Sequence, residues 1–162
     1  MIRVAILTIS DSVSRGERED RSGPKLRDRV EALGWTVSVH EVIPDERERI
    51  AARLRELADG HKVRIILTTG GTGVALRDVT PEAARDVIER EIPGLGEVMR
   101  ADGRVKTPLA VLSRSVAGTR GRTLIVTLPG SPKGAVESLD AVAGLLPHIV
   151  DLLEGRTEHV PH

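Results

Sequence analysis

Leu67-Thr-Thr-Gly-Gly-Thr-Gly-Val-Ala-Leu-Arg-Asp-Val-Thr-Pro-Glu-Ala83 continues a short apolar run, Val63 to Thr68, that is rich in β-branched residues. Such a run predicts a buried parallel strand, and the glycines mark its end at the carboxyl edge of a sheet, where open α/β sheets bind ligands. Thr80, Pro81 and Glu82 predict the start of a helix, with Thr80 as its N-cap. A strand, a glycine turn and a helix N-terminus in succession predict a binding site for an anion, with phosphate as the expected one.

The turn itself carries groups that suit a phosphate. Gly70, Gly71 and Gly73 can adopt positive φ angles and let backbone N–H groups approach a ligand, while Thr69 and Thr72 add hydroxyl donors. A plain tight turn is the alternative, and the neighbouring carboxylate and helix start favour the phosphate site. The third glycine of a dinucleotide fingerprint is absent, and no glycine loop is followed by Gly-Lys-Ser/Thr, so neither a Rossmann dehydrogenase nor a P-loop enzyme is expected.

Composition narrows the possible functions. The chain has 162 residues, 40% of them hydrophobic, which is enough for one domain, predicted over 1–155 with a short tail over 156–162. It has no cysteine, which excludes disulfides and thiolate chemistry. Its 24 basic and 24 acidic residues balance, and Trp35 is the only aromatic residue, so nucleic-acid binding is not expected. The absence of a basic leader and of a membrane-length apolar run predicts a cytoplasmic protein.

Apolar periodicity predicts an α/β fold. Strands are predicted over 4–9, 35–42, 63–68 and 123–128, and helices over 24–33, 44–60, from residue 80, over 94–100 and over 135–146. The segment 107–113 is expected to be irregular or an edge strand. Strands that alternate with amphipathic helices predict a three-layer α/β/α sandwich with a mainly parallel sheet, in which several loops meet at one edge.

Two carboxylates follow predicted strands. Asp45 and Asp78 lie at or just past strand-to-helix connections, so the sheet edge can bring both near one Mg²⁺ and a polyphosphate. Asp45 as a plain N-cap and Asp78 as a partner of the helix dipole are the structural alternatives. The segment Pro129-Gly-Ser-Pro-Lys-Gly134 is either a stiff turn or a further phosphate contact through backbone N–H groups, Ser131 and Lys133.

The polar stretch between the first strand and the first helix is long for a βα connection, which favours a functional role. It contains Ser10, Asp11 and Ser12, and it ends at Ser22, for which an N-cap role is predicted. A second anion or a polar heterocycle is expected there. The five histidines show no metal-ligand spacing and predict no metal centre or Ser/His/Asp machinery.

Taken together, these motifs resemble the molybdenum-cofactor biosynthesis proteins of the MogA/MoaB type, a family that includes domains of plant proteins and of animal gephyrin. The resemblance covers nearly the whole chain and is carried by Thr8-Ile-Ser-Asp-Ser12, Asp20-Arg-Ser-Gly-Pro24, Val42-Ile-Pro-Asp-Glu46, Thr68-Thr-Gly-Gly-Thr-Gly73, Arg77-Asp-Val-Thr-Pro-Glu-Ala83, Leu112-Ser-Arg-Ser115 and Leu128-Pro-Gly-Ser-Pro-Lys-Gly134. The related domain of MoeA-type molybdate insertases belongs to a longer chain. A free-standing 162-residue domain therefore favours the adenylyltransferase branch.

The resemblance implies a reaction in which molybdopterin and MgATP give adenylylated molybdopterin and pyrophosphate. It assigns Asp45 and Asp78 to magnesium and catalysis. The residues it assigns to ATP are Thr69, Gly70, Gly71, Thr72, Gly73, Pro129, Gly130, Ser131 and Lys133. The residues it assigns to molybdopterin are Ser10, Asp11, Ser12, Ser22, Thr80, Ser113 and Arg114.

The resemblance also implies a trimer or a hexamer and possible transfer of the product to a MoeA-type insertase. A phosphate monoester is largely dianionic at neutral pH, since its second pKa is about 6, so molybdopterin can attack without a general base. A non-catalytic molybdopterin-binding or scaffold member of the family is the main alternative, and a generic nucleotide-binding regulator is a third. Whether a molybdenum or a tungsten pathway is served stays open.

Overall fold

A six-stranded sheet forms the centre of the computed structural model, which describes residues 1–156. The predicted tail lies outside the described residues except for Arg156. The strands are β1 (Arg3–Ile9), β2 (Thr36–Ile43), β3 (Ile65–Thr69), β4 (Arg90–Glu91), β5 (Ala117–Arg120) and β6 (Thr123–Leu128). Their order across the sheet is β2-β1-β3-β6-β5-β4. Strands β2, β1, β3 and β6 pair in parallel, whereas β5 pairs antiparallel with both β6 and β4.

Helices cover both faces of the sheet. They are α1 (Asp11–Ser14), α2 (Ser22–Ala32), α3 (Arg47–Asp59), α4 (Thr80–Val87), α5 (Pro93–Lys106), α6 (Pro132–Val142) and α7 (Leu146–Leu153). Helices α2, α5, α6 and α7 contribute to one hydrophobic core and α3 and α4 to the other, which confirms the predicted three-layer sandwich with a mainly parallel sheet. In the described part of the chain, none of the helices combines the length and apolar character that crossing a bilayer requires.

Several predicted elements were wrong in detail. The segment 107–113 contains a 3₁₀ helix, Pro108–Leu112, and the helix predicted over 94–100 extends over Pro93–Lys106. The helix predicted over 135–146 is divided into α6 and α7, because Pro147 favours the first turn of a new helix over the interior of a long one. Strand β5 was missed because Ala117-Gly-Thr-Arg120 has little β-propensity. Its Gly118 is required by packing, since a Cβ there would lie 2.5 Å from the Arg90 carbonyl oxygen.

The two predicted hydroxyl N-caps were also wrong. Helix α4 begins at Thr80 itself, and the Thr80 hydroxyl donates a hydrogen bond to the Gly70 carbonyl at 2.9 Å. Helix α2 likewise begins at Ser22, and the Asp20 carboxylate accepts the Gly23 N–H at 2.9 Å. At α2 the Asp20 carboxylate, two residues before the helix, acts in place of the predicted Ser22 cap, whereas at α4 the Thr80 hydroxyl bonds to the glycine turn and no side chain caps the helix. Thr80 therefore stabilises the glycine turn.

The parallel register brings four loops to the same edge. Thr8 of β1 pairs with Thr69 of β3, and Thr69 pairs with Leu128 of β6. On the other side of β1, Ile9 pairs with Ile43 of β2. The chain segments that follow β1, β2, β3 and β6 therefore leave the sheet side by side, and they form the candidate site described below.

Candidate functional site

A cavity of about 520 Å³ lies at the carboxyl edge of the parallel strands. Residues from all four neighbouring loops line it, together with the segment before α2. Those predicted from the sequence are Ser10, Ser22, Asp45, Thr69, Gly70, Gly71, Asp78, Gly130 and Ser131. The structure thus brings together both predicted carboxylates and parts of the glycine turn, of the Pro129 loop and of the loop after β1.

The glycine turn passes close to its neighbours, which explains its composition. Gly70 has φ +111°, and a Cβ there would lie 2.2 Å from the Ile9 carbonyl oxygen. Gly71 has φ +69°, and a Cβ there would lie 2.3 Å from the Thr80 hydroxyl oxygen and 3.0 Å from the Asp45 Oδ1. The Gly70 N–H donates to the Leu128 carbonyl at 3.1 Å, so it supports the turn and is not a free donor. Only glycine suits either position.

Asp45 is partly buried and turned toward the cavity. Its Oδ2 accepts the Asp11 N–H at 2.9 Å, and it precedes α3, which begins at Arg47 without a side-chain cap. Burial raises the pKa of Asp45, and the charges of Asp11 and Asp78 raise it further, whereas the Asp11 N–H and Arg77 lower it. Asp45 is therefore not an N-cap. Its environment disfavours the ionised carboxylate, and a bound cation would reverse that effect.

This raised pKa predicts a stability change for Asp45→Asn. A carboxyl group whose folded-state pKa lies above its ordinary value of 3.8 contributes stability at low pH that is lost as pH rises through the folded-state pKa. Asp45→Asn keeps an oxygen for the Asp11 N–H and removes the charge. We expect Tm at pH 7 to rise by about 1–3 °C, with the difference disappearing on acidification. Thermal unfolding at several pH values measures this, with the exposed Asp28→Asn as the control. A lower Tm for Asp45→Asn at pH 7 would contradict the expectation.

Asp78 reaches the cavity from the far end of the turn that follows β3. Its Oδ2 accepts the Ala75 N–H at 3.0 Å. A Cβ at Gly73 would lie 2.8 Å from that oxygen, so Gly73 leaves the room that the carboxylate occupies. Gly73 itself does not line the cavity. Glycines in the turn therefore leave room for the carboxylates of both Asp78 and Asp45.

These two carboxylates fit a magnesium ion. Residues 1–156 contain no group of three or more acidic, histidine or cysteine side chains that could hold a metal by themselves. Mg²⁺, however, binds through one or two carboxylates, several waters and substrate phosphates, and it does not need an all-protein cage. Asp45 Oδ1 accepts no hydrogen bond from the described residues and faces the glycine turn. The donor chemistry therefore suits a phosphate-bound Mg²⁺.

Arg114, predicted to bind molybdopterin, lies outside this cavity and supports the turn. Its guanidinium donates to the Gly73 carbonyl at 2.8 Å, to the Asp78 carbonyl at 2.7 Å and to the Glu82 carboxylate at 2.7 Å. The Arg114 N–H also donates to the carbonyl of Thr72, whose side chain is buried. The guanidinium thus connects the segment before β5 to the turn that carries Asp78.

A second cavity, of about 220 Å³, adjoins the first across the Pro129 loop. Ser131 lines both cavities, and Pro129 and Ser113 line the second. The Ser131 hydroxyl also caps α6 by accepting the Gly134 N–H at 3.0 Å. Lys133 lines neither cavity and is 86% exposed. The predicted ATP loop therefore contributes to the wall between two cavities.

Thr8, Asp20 and His40 form a polar cluster that the sequence analysis did not assign to the site. The Thr8 hydroxyl donates to Asp20 Oδ2 at 2.8 Å, and His40 Nε2 lies 3.3 Å from the same oxygen. Gly23 permits this approach, since a Cβ there would lie 2.3 Å from His40 Nε2. Thr8 and Asp20 line the cavity. Thr8 belongs to an apolar strand pattern, and only the Asp20-Arg-Ser-Gly-Pro24 motif indicated this cluster.

The fold and the cavity define an α/β protein whose ligand cleft lies at the carboxyl edge of its parallel strands. Residues 5–148 match the family described as "Probable molybdopterin binding domain". The chain belongs to this molybdopterin-binding domain family, as its motifs predicted.

Individual relatives agree with this assignment. The chain is 42% identical to "Molybdopterin adenylyltransferase" of Helicobacter pylori J99 over 157 residues, which are 96% of this chain and 89% of the relative. It is 42% identical to "Molybdenum cofactor synthesis protein cinnamon" of Drosophila melanogaster over 94% of this chain and 26% of that longer protein. The crystal structure of the molybdopterin biosynthesis enzyme MoaB from Thermus thermophilus superposes with a TM-score of 0.90 at 53% identity, covering 96% of this chain and 98% of that one.

Proposed function

We propose that this chain transfers AMP from ATP to the phosphate of molybdopterin and releases pyrophosphate. The observation that carries the proposal is one cavity in which Asp45 and Asp78 meet the glycine turn. It is supported by 42% identity to a molybdopterin adenylyltransferase over nearly the full length of both chains. The cavity is open to solvent and large enough for a phosphorylated ligand.

The reaction is a displacement at phosphorus. An oxygen of the molybdopterin phosphate attacks the α-phosphorus of ATP, and the bond from that phosphorus to the oxygen leading to the β-phosphate breaks. Pyrophosphate takes the electron pair of that bond. The attacking monoester has a second pKa of about 6, so it is largely deprotonated at neutral pH and requires no general base. The protein therefore contributes positioning and charge stabilisation.

The two carboxylates are proposed to bind the cation that offsets the charge of the phosphates. In the proposed complex, Asp45 and Asp78 are the residues that would hold Mg²⁺ when ATP is bound. When bound, the ion supplies positive charge that offsets the charge on departing pyrophosphate. Asp45 Oδ1 and Asp78 Oδ1, neither of which accepts a hydrogen bond within residues 1–156, would be the protein's ligands to the ion. Both carboxylates already have one oxygen oriented by a backbone N–H, Asp11 for Asp45 and Ala75 for Asp78.

Different loops are assigned to the two substrates. We assign the ATP phosphates to the turn from Thr69 to Gly73 and to the loop from Pro129 to Lys133, of which Thr69, Gly70, Gly71, Gly130 and Ser131 line the first cavity. Molybdopterin is assigned to Ser10, Ser12 and Ser22. The second cavity, which includes Ser113, offers space for a ring next to the shared Ser131.

Residues 1–155 act as one domain in this proposal, and the domain self-associates as a trimer or hexamer. Large exposed apolar side chains support self-association: Val74 is 69%, Leu76 100% and Leu109 71% exposed in the single chain.

The product is adenylylated molybdopterin, and its consumer would be a MoeA-type molybdate insertase.

The decisive experiment measures pyrophosphate release from MgATP with and without molybdopterin. We expect release to be at least about 100-fold faster with molybdopterin, a modest part of usual enzymatic rate enhancements. Radioactive label from the α-phosphate of ATP should appear on molybdopterin in equal amount. A folded chain that binds molybdopterin without releasing pyrophosphate would instead be a non-catalytic family member. ATP affinity that is independent of molybdopterin, again without release, would indicate a nucleotide-binding regulator.

A further inference from the structure

Three of the loops around the first cavity are joined by one cluster of charged side chains. The Asp11 N–H donates to Asp45 Oδ2 at 2.9 Å, and the Asp45 N–H donates to Asp11 Oδ1 at 3.0 Å. Arg77 adds a two-pronged contact to Asp11, with its Nε 2.8 Å from Oδ2 and its Nη2 2.9 Å from Oδ1. Asp11 follows β1, Asp45 follows β2 and Arg77 follows β3. We call these three residues the Asp11 cluster.

The carboxylates of Asp11 and Asp45 differ in how many of their oxygens accept hydrogen bonds. Both Asp11 oxygens accept hydrogen bonds from the protein, and Asp11 does not line the cavity. Asp45 lines the cavity and keeps Oδ1 without a hydrogen bond from residues 1–156. The two acids are therefore not equivalent. Asp11 is directed at protein groups, and Asp45 is available to a ligand.

We propose that Asp11 and Arg77 are positioning residues that hold Asp45 and Asp78 at the separation the transfer site requires. Asp11 contributes no direct contact to molybdopterin in this proposal, in contrast to the role that the sequence resemblance implied. The inference rests on the proposed function, because it concerns the two carboxylates assigned to Mg²⁺. Under this proposal the site also depends on Asp11 and Arg77, which lie outside the cavity.

The connection to Asp78 runs through the chain. Arg77 is the residue immediately before Asp78, so the contact of Arg77 with Asp11 also limits how far the loop bearing Asp78 can move. Arg77 is 65% exposed, and exposed ion pairs contribute little to global stability. A displacement of about 1 Å at a reacting centre can nevertheless reduce the rate about 100-fold. The cluster should therefore affect catalysis more than folding.

The test compares Asp11→Ala, Asp11→Asn and Arg77→Met with a matched control, Arg47→Met. Arg47 makes an equally short two-pronged contact, 2.8 Å for both bonds, to Asp86 on the protein surface away from the cavity. We expect Asp11→Ala and Arg77→Met each to lower kcat by about 10-fold to 100-fold, the range that small misplacement produces. The KM for molybdopterin should change by less than about 2-fold, because uniform substrate binding is retained. Arg47→Met should match the wild type.

A second measurement does not need turnover. Mn²⁺ binding to the chain with a non-hydrolysable ATP analogue, followed by electron paramagnetic resonance, should weaken about 10-fold in Asp11→Ala and Arg77→Met, in keeping with the effect of removing groups that orient metal ligands. The double variant should be no worse than either single variant, because the two residues act as one unit. Asp11→Asn can still accept the Asp45 N–H, so it should lie between the wild type and Asp11→Ala. If Asp11→Ala does not fold, Asp11→Asn and Arg77→Met decide the question.

The outcomes separate this inference from the proposed function. Absence of AMP transfer by the wild type would refute the proposed function, and the Mn²⁺ measurement would still decide the role of Asp11. A rise of about 10-fold or more in the KM or Kd for molybdopterin at unchanged kcat would make Asp11 a substrate ligand and overturn the inference. Unchanged Mn²⁺ affinity in both Asp11→Ala and Arg77→Met would overturn it as well.

Discussion

Asp78→Asn is expected to lower the rate of molybdopterin-dependent pyrophosphate release by at least about 100-fold, which is the usual cost of removing one charge-stabilising group. The asparagine oxygen can still accept the Ala75 N–H, which Asp78 Oδ2 accepts at 3.0 Å, so the turn keeps its shape. What is lost is the negative charge in the cavity. Since Asp78 is assigned to hold Mg²⁺ on the ATP phosphates, the loss should fall mainly on kcat.

Asp86→Asn is the appropriate control for this change. Asp86 is also an aspartate that accepts short hydrogen bonds, from Arg47 at 2.8 Å, but it lies outside the cavity. We expect Asp86→Asn to release pyrophosphate at the wild-type rate. Far-UV circular dichroism should show that both variants are folded. Normal turnover by Asp78→Asn would remove Asp78 from the magnesium site and would favour a different set of phosphate ligands.

Gly70→Ala is expected to lower the free energy of unfolding by about 3 kcal/mol or more, because steric strain and a left-handed backbone add together. The φ of Gly70 is +111°, outside the region that L residues adopt. The new Cβ would lie 2.2 Å from the Ile9 carbonyl oxygen. This neighbour is backbone of the central strand β1, so no side-chain rotation relieves the clash. The turn and β1 would have to separate.

Gly34→Ala separates the two contributions. Gly34 has φ +85°, and a Cβ there would have no neighbour within 4 Å. It should therefore show only the conformational cost, about 1 kcal/mol. For a chain of this length 1 kcal/mol corresponds to a Tm change of about 2–4 °C, so Gly70→Ala should lower Tm by about 6 °C or more and Gly34→Ala by a few degrees. Equal losses for the two variants would show that contact with Ile9 costs nothing.

Part of the site was accessible to sequence analysis because its signals are local. The apolar run of β3 followed at once by glycines predicts a strand that ends at a ligand edge, and β3 does end at Thr69, beside the cavity. Asp45 follows β2 closely and Asp78 lies in the turn between β3 and α4, so the parallel order brings the two loops that carry them to the same edge. The set of loops that meet there was therefore predictable.

Other parts of the site depend on residues far apart in the sequence. Asp11 binds the Asp45 backbone across 34 positions and Arg77 across 66, and no spacing rule connects these three residues. The Arg114 guanidinium donates to the Gly73 carbonyl across 41 positions of sequence. Arg114 therefore supports the turn and does not line the cavity. Thr80 was predicted as a helix cap from local pattern, but its hydroxyl bonds to the Gly70 carbonyl, ten positions earlier in the chain.

The amino-acid sequence by itself determined the order of the four parallel strands, the sheet edge that carries the ligand site and the family, because periodicity, glycine and proline act within a few residues of chain. Only the tertiary structure decided which polar groups face the cavity and which face the protein. Asp11 and Asp45 look alike in sequence, since each is an aspartate that follows a strand closely. They differ because hydrogen bonds from distant segments occupy both oxygens of Asp11 and only one oxygen of Asp45.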